Sequence, residues 1–262
     1  MNSDLFVEEQ NGIATITFNR PDQRNAINYE GWIKLREIAN NLSSSSRVRA
    51  VVLTGAGDQA FSAGADIKDF ANHRNSSNLA KDYSIAFDGA MDAIESIEKP
   101  TISLIKGFCI GGGCELSLAT DIRIASNNAR FGVPVAHLGI LVGYKEMRRL
   151  VSLIGPGNTS YLLLSGKIIS AETAFQIGLI NSLVSTQDAD KVCYSLANEM
   201  AQLAPLSHKG HKEILQTVLK NPSLSNLNEE ESDLPFAIFD SLDFQEGQKS
   251  FVAGTKPSFQ GR

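Results

Sequence analysis

The spacing of apolar residues predicts strands and helices that alternate over the first two thirds of the chain. Residues 4–18 carry two short apolar runs around Asn11-Gly12, a pattern typical of a β-hairpin. Apolar residues then recur at helical spacing over residues 29–42. Further strands are predicted at residues 48–54, 102–110 and 121–125, and further helices at residues 79–98, 144–154, 159–164 and 171–177.

From about residue 188 onward the pattern is helical throughout, with breaks near Pro205, Asn221-Pro222 and Asp240. Strands interleaved with helices and followed by an all-helical tail predict an α/β core with a helical C-terminal subdomain. We place the boundary so that residues 1–195 form the core and residues 196–262 form the subdomain.

The composition is that of an ordinary globular protein. Of 262 residues, 42% are hydrophobic and 20% are charged, which is enough to bury a full core. The formal net charge of -5 leaves no basic surface for nucleic acid, so we expect no nucleic-acid partner. No apolar segment is long enough to span a bilayer, and the acidic, polar start lacks the features of a signal peptide. We therefore expect a cytoplasmic protein with no membrane partner.

The motifs for nucleotide cofactors and metals are incomplete. Gly55-Ala56-Gly57 lacks the third glycine of a dinucleotide fingerprint, and Gly166-Lys167 lacks the rest of a phosphate-binding loop. His208 and His211 have no acidic or cysteine partner nearby, so we expect no metal site. Three cysteines without a metal-ligand spacing are expected to be buried free thiols, namely Cys109, Cys114 and Cys193.

The most informative stretch is a run of three glycines, Gly111 to Gly113, which follows the apolar residues 102–110. Glycine allows a sharp bend and close approach of a ligand, and a helix that begins there leaves amides unpaired with partial positive charge. Such a site suits a developing oxyanion, and Glu115 in the first helical turn would add an acid or base. Taken alone, the stretch could equally be structural.

A second strand, glycine loop and helix start occurs earlier in the chain, at residues 61–68. Each of the two junctions is able to offer one backbone N–H. Two such donors could together form a hole around a single carbonyl oxygen.

These two junctions closely resemble the signature segments of the enoyl-CoA hydratase/isomerase family, also called the crotonase family. The likeness is carried by Phe-Ser-Ala-Gly-Ala-Asp-Ile-Lys at residues 61–68 and Gly-Phe-Cys-Ile-Gly-Gly-Gly-Cys-Glu-Leu at residues 107–116. It extends over nearly the whole chain, with further matches at residues 19–28, 121–125, 164–166, 171–174, 178–181 and 246–259. The resemblance implies a crotonase-like spiral of β-β-α units with a helical C-terminal subdomain that mediates homotrimers, often paired into homohexamers.

The resemblance also implies an enzyme that acts on an acyl-CoA thioester and stabilises its enolate. The amides of Ala65 and Gly112 would bind the thioester oxygen. Coenzyme A would contact five further residues, namely Ala26, Ala63 and Ile67 at its adenine end, Lys68 near its phosphates, and Phe251 from a neighbouring subunit. Because coenzyme A is part of the substrate, no separate cofactor is expected. Lys68 could equally be a solvated lysine, and Asp66 merely a helix cap.

One position departs from the family pattern. The hydratases of the family use two glutamates, and Glu115 matches the one that activates water. Where the second would stand, this chain has Val135, which cannot take or give a proton. Bulkier residues also replace a glycine-rich stretch at residues 141–146. This predicts a reshaped acyl pocket, with Val135, His137 and Tyr144 in its wall.

Three functions stay open. In the first, a hydratase-like lyase, Glu115 works on a 2-enoyl-CoA with an ordered water, and one more side chain could assist it: His137, Tyr144 or Glu146. The second is decarboxylation of a malonyl-type thioester, which an apolar wall at Val135 would favour. The third is acyl-CoA binding with little turnover. We favour the lyase, because a glutamate is costly to bury unless it is used or paired.

Overall fold

The computed structural model describes residues 4–262, and the strands of this segment form two sheets. The strands are β1 (Leu5–Gln10), β2 (Ile13–Phe18), β3 (Ala50–Gly55), β4 (Ala60–Ser62), β5 (Thr101–Ile105), β6 (Phe108–Ile110), β7 (Ile122–Ser126), β8 (Arg130–Gly132), β9 (Ile169–Ser170) and β10 (Ser182–Val184). The larger sheet has the order β1-β2-β3-β5-β7-β10, and the smaller sheet has the order β4-β6-β8-β9.

Helices cover the sheets and form the C-terminal part of the chain. They are α1 (Tyr29–Ser44), α2 (Phe70–His73), α3 (Ser77–Glu95), α4 (Gly112–Ser117), α5 (Tyr144–Ser165), α6 (Ala171–Gln176), α7 (Ala189–Ala201), α8 (Pro205–Lys220), α9 (Glu229–Ala237) and α10 (Leu242–Ala253). Between residues 4 and 262, no helix combines the length and the apolar character needed to cross a membrane.

Each successive unit of the chain places one strand in each sheet and then adds a helix. Strands β3, β5 and β7 run parallel and side by side in the larger sheet. Strands β4, β6 and β8, which follow them in the chain, do the same in the smaller sheet. Helices α3, α4 and α5 complete the successive units. This confirms the predicted spiral of β-β-α units, and β1 and β2 form the predicted antiparallel hairpin.

Helices α1 and α3 pack against each other because both present apolar residues at helical spacing. Trp32 and Leu35 of α1 are buried together with Tyr83 and Met91 of α3. Trp32 Nε1 donates a hydrogen bond of 2.8 Å to the Tyr83 hydroxyl, which satisfies the indole N–H inside the core. Helix α3 is thereby fixed in position, and its other side chains are free to line a cavity.

Helix α5 consists of two helical halves, which agrees with the sequence prediction of two helices separated near residue 155. The halves, which together span Tyr144 to Ser165, meet at one non-helical residue, Gly155, whose φ is 71° and ψ is 167°. Pro156 then stands at the start of the second helical half, where a missing N–H costs little. The sequence therefore located the break correctly, but the break is a kink rather than a loop.

Helix α7 lies on the larger sheet. Its residues Ala189, Cys193 and Ala197 are buried against apolar residues of that sheet, among them Val52 and Leu104. The predicted domain boundary at residue 195 falls inside this helix. Within the described segment all three cysteines are buried free thiols, as expected.

Candidate active site

A cavity of about 520 Å³ lies where the first turns of α4 and α5 meet helix α3 and the loop after β4. Eight of the residues singled out from the sequence line it, namely Ala63, Ala65, Ile67, Gly111, Gly112, Glu115, Val135 and Glu146. The two glycine junctions, which are far apart in the chain, therefore meet at one place. Parallel pairing of β4 with β6 brings them together.

The backbone amides of Ala65 and Gly112 lie side by side in this cavity. A Cβ atom added to Gly64 would stand 2.7 Å from the Gly112 nitrogen, and one added to Gly112 would stand 3.4 Å from the Ala65 nitrogen. Gly111, with φ of 54°, turns the chain into α4. Among residues 4–262 neither amide donates to a backbone carbonyl, so both are available to one acceptor.

A hydrogen-bonded loop holds Ala65 in this position. The Ile27 amide donates to the Gly64 carbonyl at 2.8 Å, and the Asp66 amide donates to the Ile27 carbonyl at 2.9 Å. Arg20 then joins both segments, because its guanidinium donates to the Ala26 carbonyl at 2.9 Å and to the Asp66 carboxylate at 2.8 Å. Asp66 also caps the short helical turn at Ile67–Asp69, since its carboxylate accepts a hydrogen bond from the Lys68 amide at 3.1 Å.

Glu115 lies in the first turn of α4, three residues beyond Gly112, and is 5% exposed. Burial raises the pKa of its carboxyl group to about 8, and the negative charge of Glu146 adds to the rise. The positive charge of Arg74 opposes it. A carboxyl group with this pKa can hold a proton at neutral pH and release it during a reaction.

Glu146 is the second carboxyl group of the cavity. It lies in the first turn of α5 and is 2% exposed. Its Oε1 atom is 3.4 Å from a guanidinium nitrogen of Arg149, a residue that is also paired with Asp92 and Glu95. Burial raises the pKa of Glu146 as well. The cavity therefore holds two buried carboxyl groups, and the negative charge of Glu146 contributes to the raised pKa of Glu115.

The structure does not bring His137 and Tyr144 into the cavity. The His137 ring packs beside the end of α5, with Nε2 2.7 Å from the point where Gly166 would carry a Cβ atom. Tyr144 is 98% exposed because it starts α5 on the solvent side. Of the three candidate partners for Glu115, only Glu146 lines the cavity.

The residues expected to hold coenzyme A occupy different positions. Ala63 and Ile67 line the cavity, whereas Ala26 lies in the adjoining loop and Lys68 is exposed beside it. Phe251, near the end of α10, is 88% exposed and does not line the cavity of its own chain.

Sequence reasoning missed the contribution of α2 and α3 to the cavity wall. Arg74, Tyr83, Phe87 and Asp88 all line it. The spacing of the α3 residues indicated only an amphipathic helix, and Arg74 stands in a polar segment that reads as a loop. No local signal in the sequence marks these side chains as part of a site.

Comparison with known proteins identifies the family of the chain. The profile of enoyl-CoA hydratase/isomerase matches residues 8–262. The chain belongs to the enoyl-CoA hydratase/isomerase family. This enzyme is similar to the crotonyl-CoA hydratase of Syntrophomonas wolfei, with 31% identity over 98% of this chain and 97% of that protein. It is also similar to the 2,3-dehydroadipyl-CoA hydratase of Escherichia coli, with 30% identity over 99% of this chain and 100% of that protein.

A solved structure supports the same assignment. The enoyl-CoA hydratase/carnithine racemase from Magnetospirillum magneticum superposes on this family member with a TM-score of 0.95 and 32% identity, over 100% of this chain and 97% of that one. The crotonase fold implied by the glycine junctions is therefore confirmed. The chain is an enzyme with an enoyl-CoA hydratase-like function, and the names of its relatives are hydro-lyase names.

Proposed function

We propose that this enzyme adds water to the double bond of a 2-enoyl-CoA thioester, with Glu115 and Glu146 as the acid and base. One observation carries the proposal. Two buried carboxyl groups line the same cavity as two free backbone amides, those of Ala65 and Gly112. Hydration of an enoyl thioester needs this set of groups, because it moves two protons and places negative charge on one oxygen.

The amides of Ala65 and Gly112 supply the electrostatic part of the reaction. They donate to the thioester oxygen, which becomes negative as the hydroxyl group of water bonds to C3. Donors fixed in place stabilise that charge more than the neutral carbonyl, and one of them gains from the start of helix α4.

The carboxyl pair supplies the proton transfers. Glu115 is the protonated member near neutral pH, because burial and the negative charge of Glu146 raise its pKa to about 8. The charged member takes a proton from the attacking water, and the neutral member gives its proton to C2. The product is a 3-hydroxyacyl-CoA, and the pair is left with one proton. Val135 lines the cavity but has no part in these transfers.

Coenzyme A would extend from the cavity past Ala63 and Ile67, with Lys68 near its phosphates. Ile67 and Lys68 are exposed on this side, which leaves them open to a charged ligand. We further propose that a homotrimer, alone or paired into a hexamer, brings Phe251 of a neighbouring copy to this ligand. Its exposure supports such a contact. Light scattering on the purified protein tests the assembly.

Turnover of a thioester panel tests the proposal. Crotonyl-CoA should be hydrated by the native chain, with loss of absorbance of the conjugated double bond. Malonyl-type and 3-hydroxyacyl esters complete the panel. Release of carbon dioxide from a malonyl-type ester, without hydration of any enoyl ester, would replace the proposal by decarboxylation. Tight binding across the panel without turnover would replace it by acyl-CoA binding.

A further inference from the structure

The guanidinium group of Arg74 lines the cavity without an acidic partner. Its carbon atom Cζ stands 4.7 Å from the ring centre of Phe70 and 4.9 Å from that of Tyr83. Within residues 4–262 no carboxylate forms an ion pair with Arg74, whereas Asp4 and Asp66 both pair with Arg20. Arg74 thus presents a positive charge whose hydrogen-bond donors are free.

The two rings hold this positive charge in a fixed place. Tyr83 is buried and accepts a hydrogen bond from Trp32, so its ring cannot move away. Arg74 itself follows α2, where its amide donates to the Phe70 carbonyl at 2.9 Å. A guanidinium stacked on aromatic rings keeps its planar edge available for a carboxylate.

The other charged groups in and beside the cavity are placed differently from Arg74. Arg149 does not line the cavity and is paired with three carboxylates. Asp88 accepts from the Ser84 hydroxyl at 3.1 Å. Lys81 also lines the cavity, but its side chain is exposed. Arg74 is therefore a half-buried cation with which an anionic group of a ligand can pair.

We infer that Arg74 binds a carboxylate at the far end of the acyl chain, so that the preferred substrate is a 2-enoyl-CoA with a terminal carboxyl group. This inference rests on the proposed function, and it adds the substrate class. Helix α3 carries both Tyr83, on which Arg74 stacks, and Phe87, whose ring lies 2.9 Å from where Gly112 would carry a Cβ atom. Arg74 therefore lies on the side of the cavity that would hold the acyl chain. A bidentate guanidinium–carboxylate contact would fix the chain end.

Binding of saturated, unreactive thioesters tests the inference without turnover. Glutaryl-, adipyl- and suberyl-CoA are compared by calorimetry with pentanoyl-, hexanoyl- and octanoyl-CoA. At the best chain length the dicarboxylic ester should bind about tenfold more tightly or better, as expected for a hydrogen bond to a charged group. Arg74→Met should abolish the preference by weakening the dicarboxylic ester about tenfold or more and the monocarboxylic ester far less, and Arg74→Lys should retain part of it. Arg47→Met, at an exposed and remote position, is the matched control.

Two outcomes would overturn the inference. One is the absence of any preference in the native enzyme at all three chain lengths. The other is an Arg74→Met variant that weakens both classes of ester equally, because Arg74 would then contact coenzyme A itself.

Turnover separates this inference from the proposed function. If 2-hexenoyl-CoA is hydrated as efficiently as 2,3-dehydroadipyl-CoA, the substrate class is wrong and the hydratase assignment stands. If neither is hydrated while adipyl-CoA still binds preferentially through Arg74, the hydratase assignment is wrong and the carboxylate site stands.

Discussion

The Oε2 atom of Glu146 lies 2.5 Å from the point at which Gly143 would carry a Cβ atom. Gly143 precedes helix α5 with φ of -72° and ψ of 167°, a conformation that any residue can adopt. Its backbone therefore does not require glycine. What the missing side chain provides is the space that the Glu146 carboxyl group occupies.

Replacing Gly143 with alanine should displace the Glu146 carboxyl group and lower kcat for enoyl-CoA hydration at least tenfold. Stability should change little, because the atom that must move is the end of a flexible side chain. Steady-state kinetics and the Tm measure the two effects. Gly157→Ala is the control, since a Cβ atom there has nothing within 4 Å. Equal activity of both variants would show that the chemistry does not depend on the position of Glu146.

Replacing either carboxyl group with its amide should remove one proton-transfer step. We expect Glu115→Gln and Glu146→Gln each to lower kcat by about 10²–10⁴-fold, with little change in the affinity for a saturated acyl-CoA. The double variant should be little worse than either single variant, because the two groups act as one unit. Glu37→Gln, on an exposed position of α1, is the control. Full activity of Glu146→Gln would show that Glu146 takes no part in proton transfer.

Much of the fold could be predicted because its signals are local. The continuous apolar run of β5 corresponds to five buried residues, and the helix predicted from residue 29 begins there, with Asn28 accepting a hydrogen bond from the Gly31 amide at 2.9 Å. The sequence also predicted the break of α5 at Gly155, but not that the second half begins after a single non-helical residue. A glycine followed by proline ordinarily ends a helix, and tertiary packing decides how soon the next helix begins.

The site divides in the same way. Gly112 and Glu115 belong to one segment, so the sequence placed a possible oxyanion donor beside a carboxyl group, and the resemblance to the family favoured the catalytic reading over a structural one. Glu146 belongs to a distant helix, and His137 and Tyr144 in the same region were equally good candidates by residue type. Whether Tyr144 or Glu146 faces inward depends on the rotation of α5 and on its packing against α3, and His137 precedes α5 in a turn of its own. A local pattern contains none of this.

A carboxyl group at position 135 should substitute for Glu146. Val135 lines the cavity, and it is the position at which the family's second glutamate was expected. We therefore expect that adding Val135→Glu to the Glu146→Gln variant raises kcat at least tenfold above that of Glu146→Gln alone. Crotonyl-CoA hydration by the double variant measures the rescue, and Val135→Gln in the same background controls for size. Equal activity of the two double variants would argue that position 135 does not reach the reacting atoms.

An alanine at position 112 should damage the oxyanion hole. Its Cβ atom would stand 2.9 Å from the Phe87 ring and 3.4 Å from the Ala65 nitrogen, so it would crowd both the second donor and the acyl chain. We expect kcat to fall about 10²–10³-fold, the loss typical of one missing oxyanion donor. Single-turnover kinetics separate this loss from weaker binding. The same Gly157→Ala variant shows whether a methyl group elsewhere on a helix has any such effect.

The pH dependence of stability should report the proton on Glu115. Its pKa is raised on folding from 4.5 to about 8, so the folded state binds this proton more tightly than the unfolded state. The contribution of this proton to the free energy of unfolding is complete below pH 4.5 and is lost as the pH rises through 8. The total change is on the order of 4 kcal/mol. Urea unfolding across this range should show a smaller decline for Glu115→Gln than for the native enzyme, while Glu37→Gln should match the native enzyme. Parallel stability curves for Glu115→Gln and the native enzyme would contradict the assignment. Because loss of the Glu115 proton also removes the acid of the catalytic pair, kcat should fall over the same alkaline range.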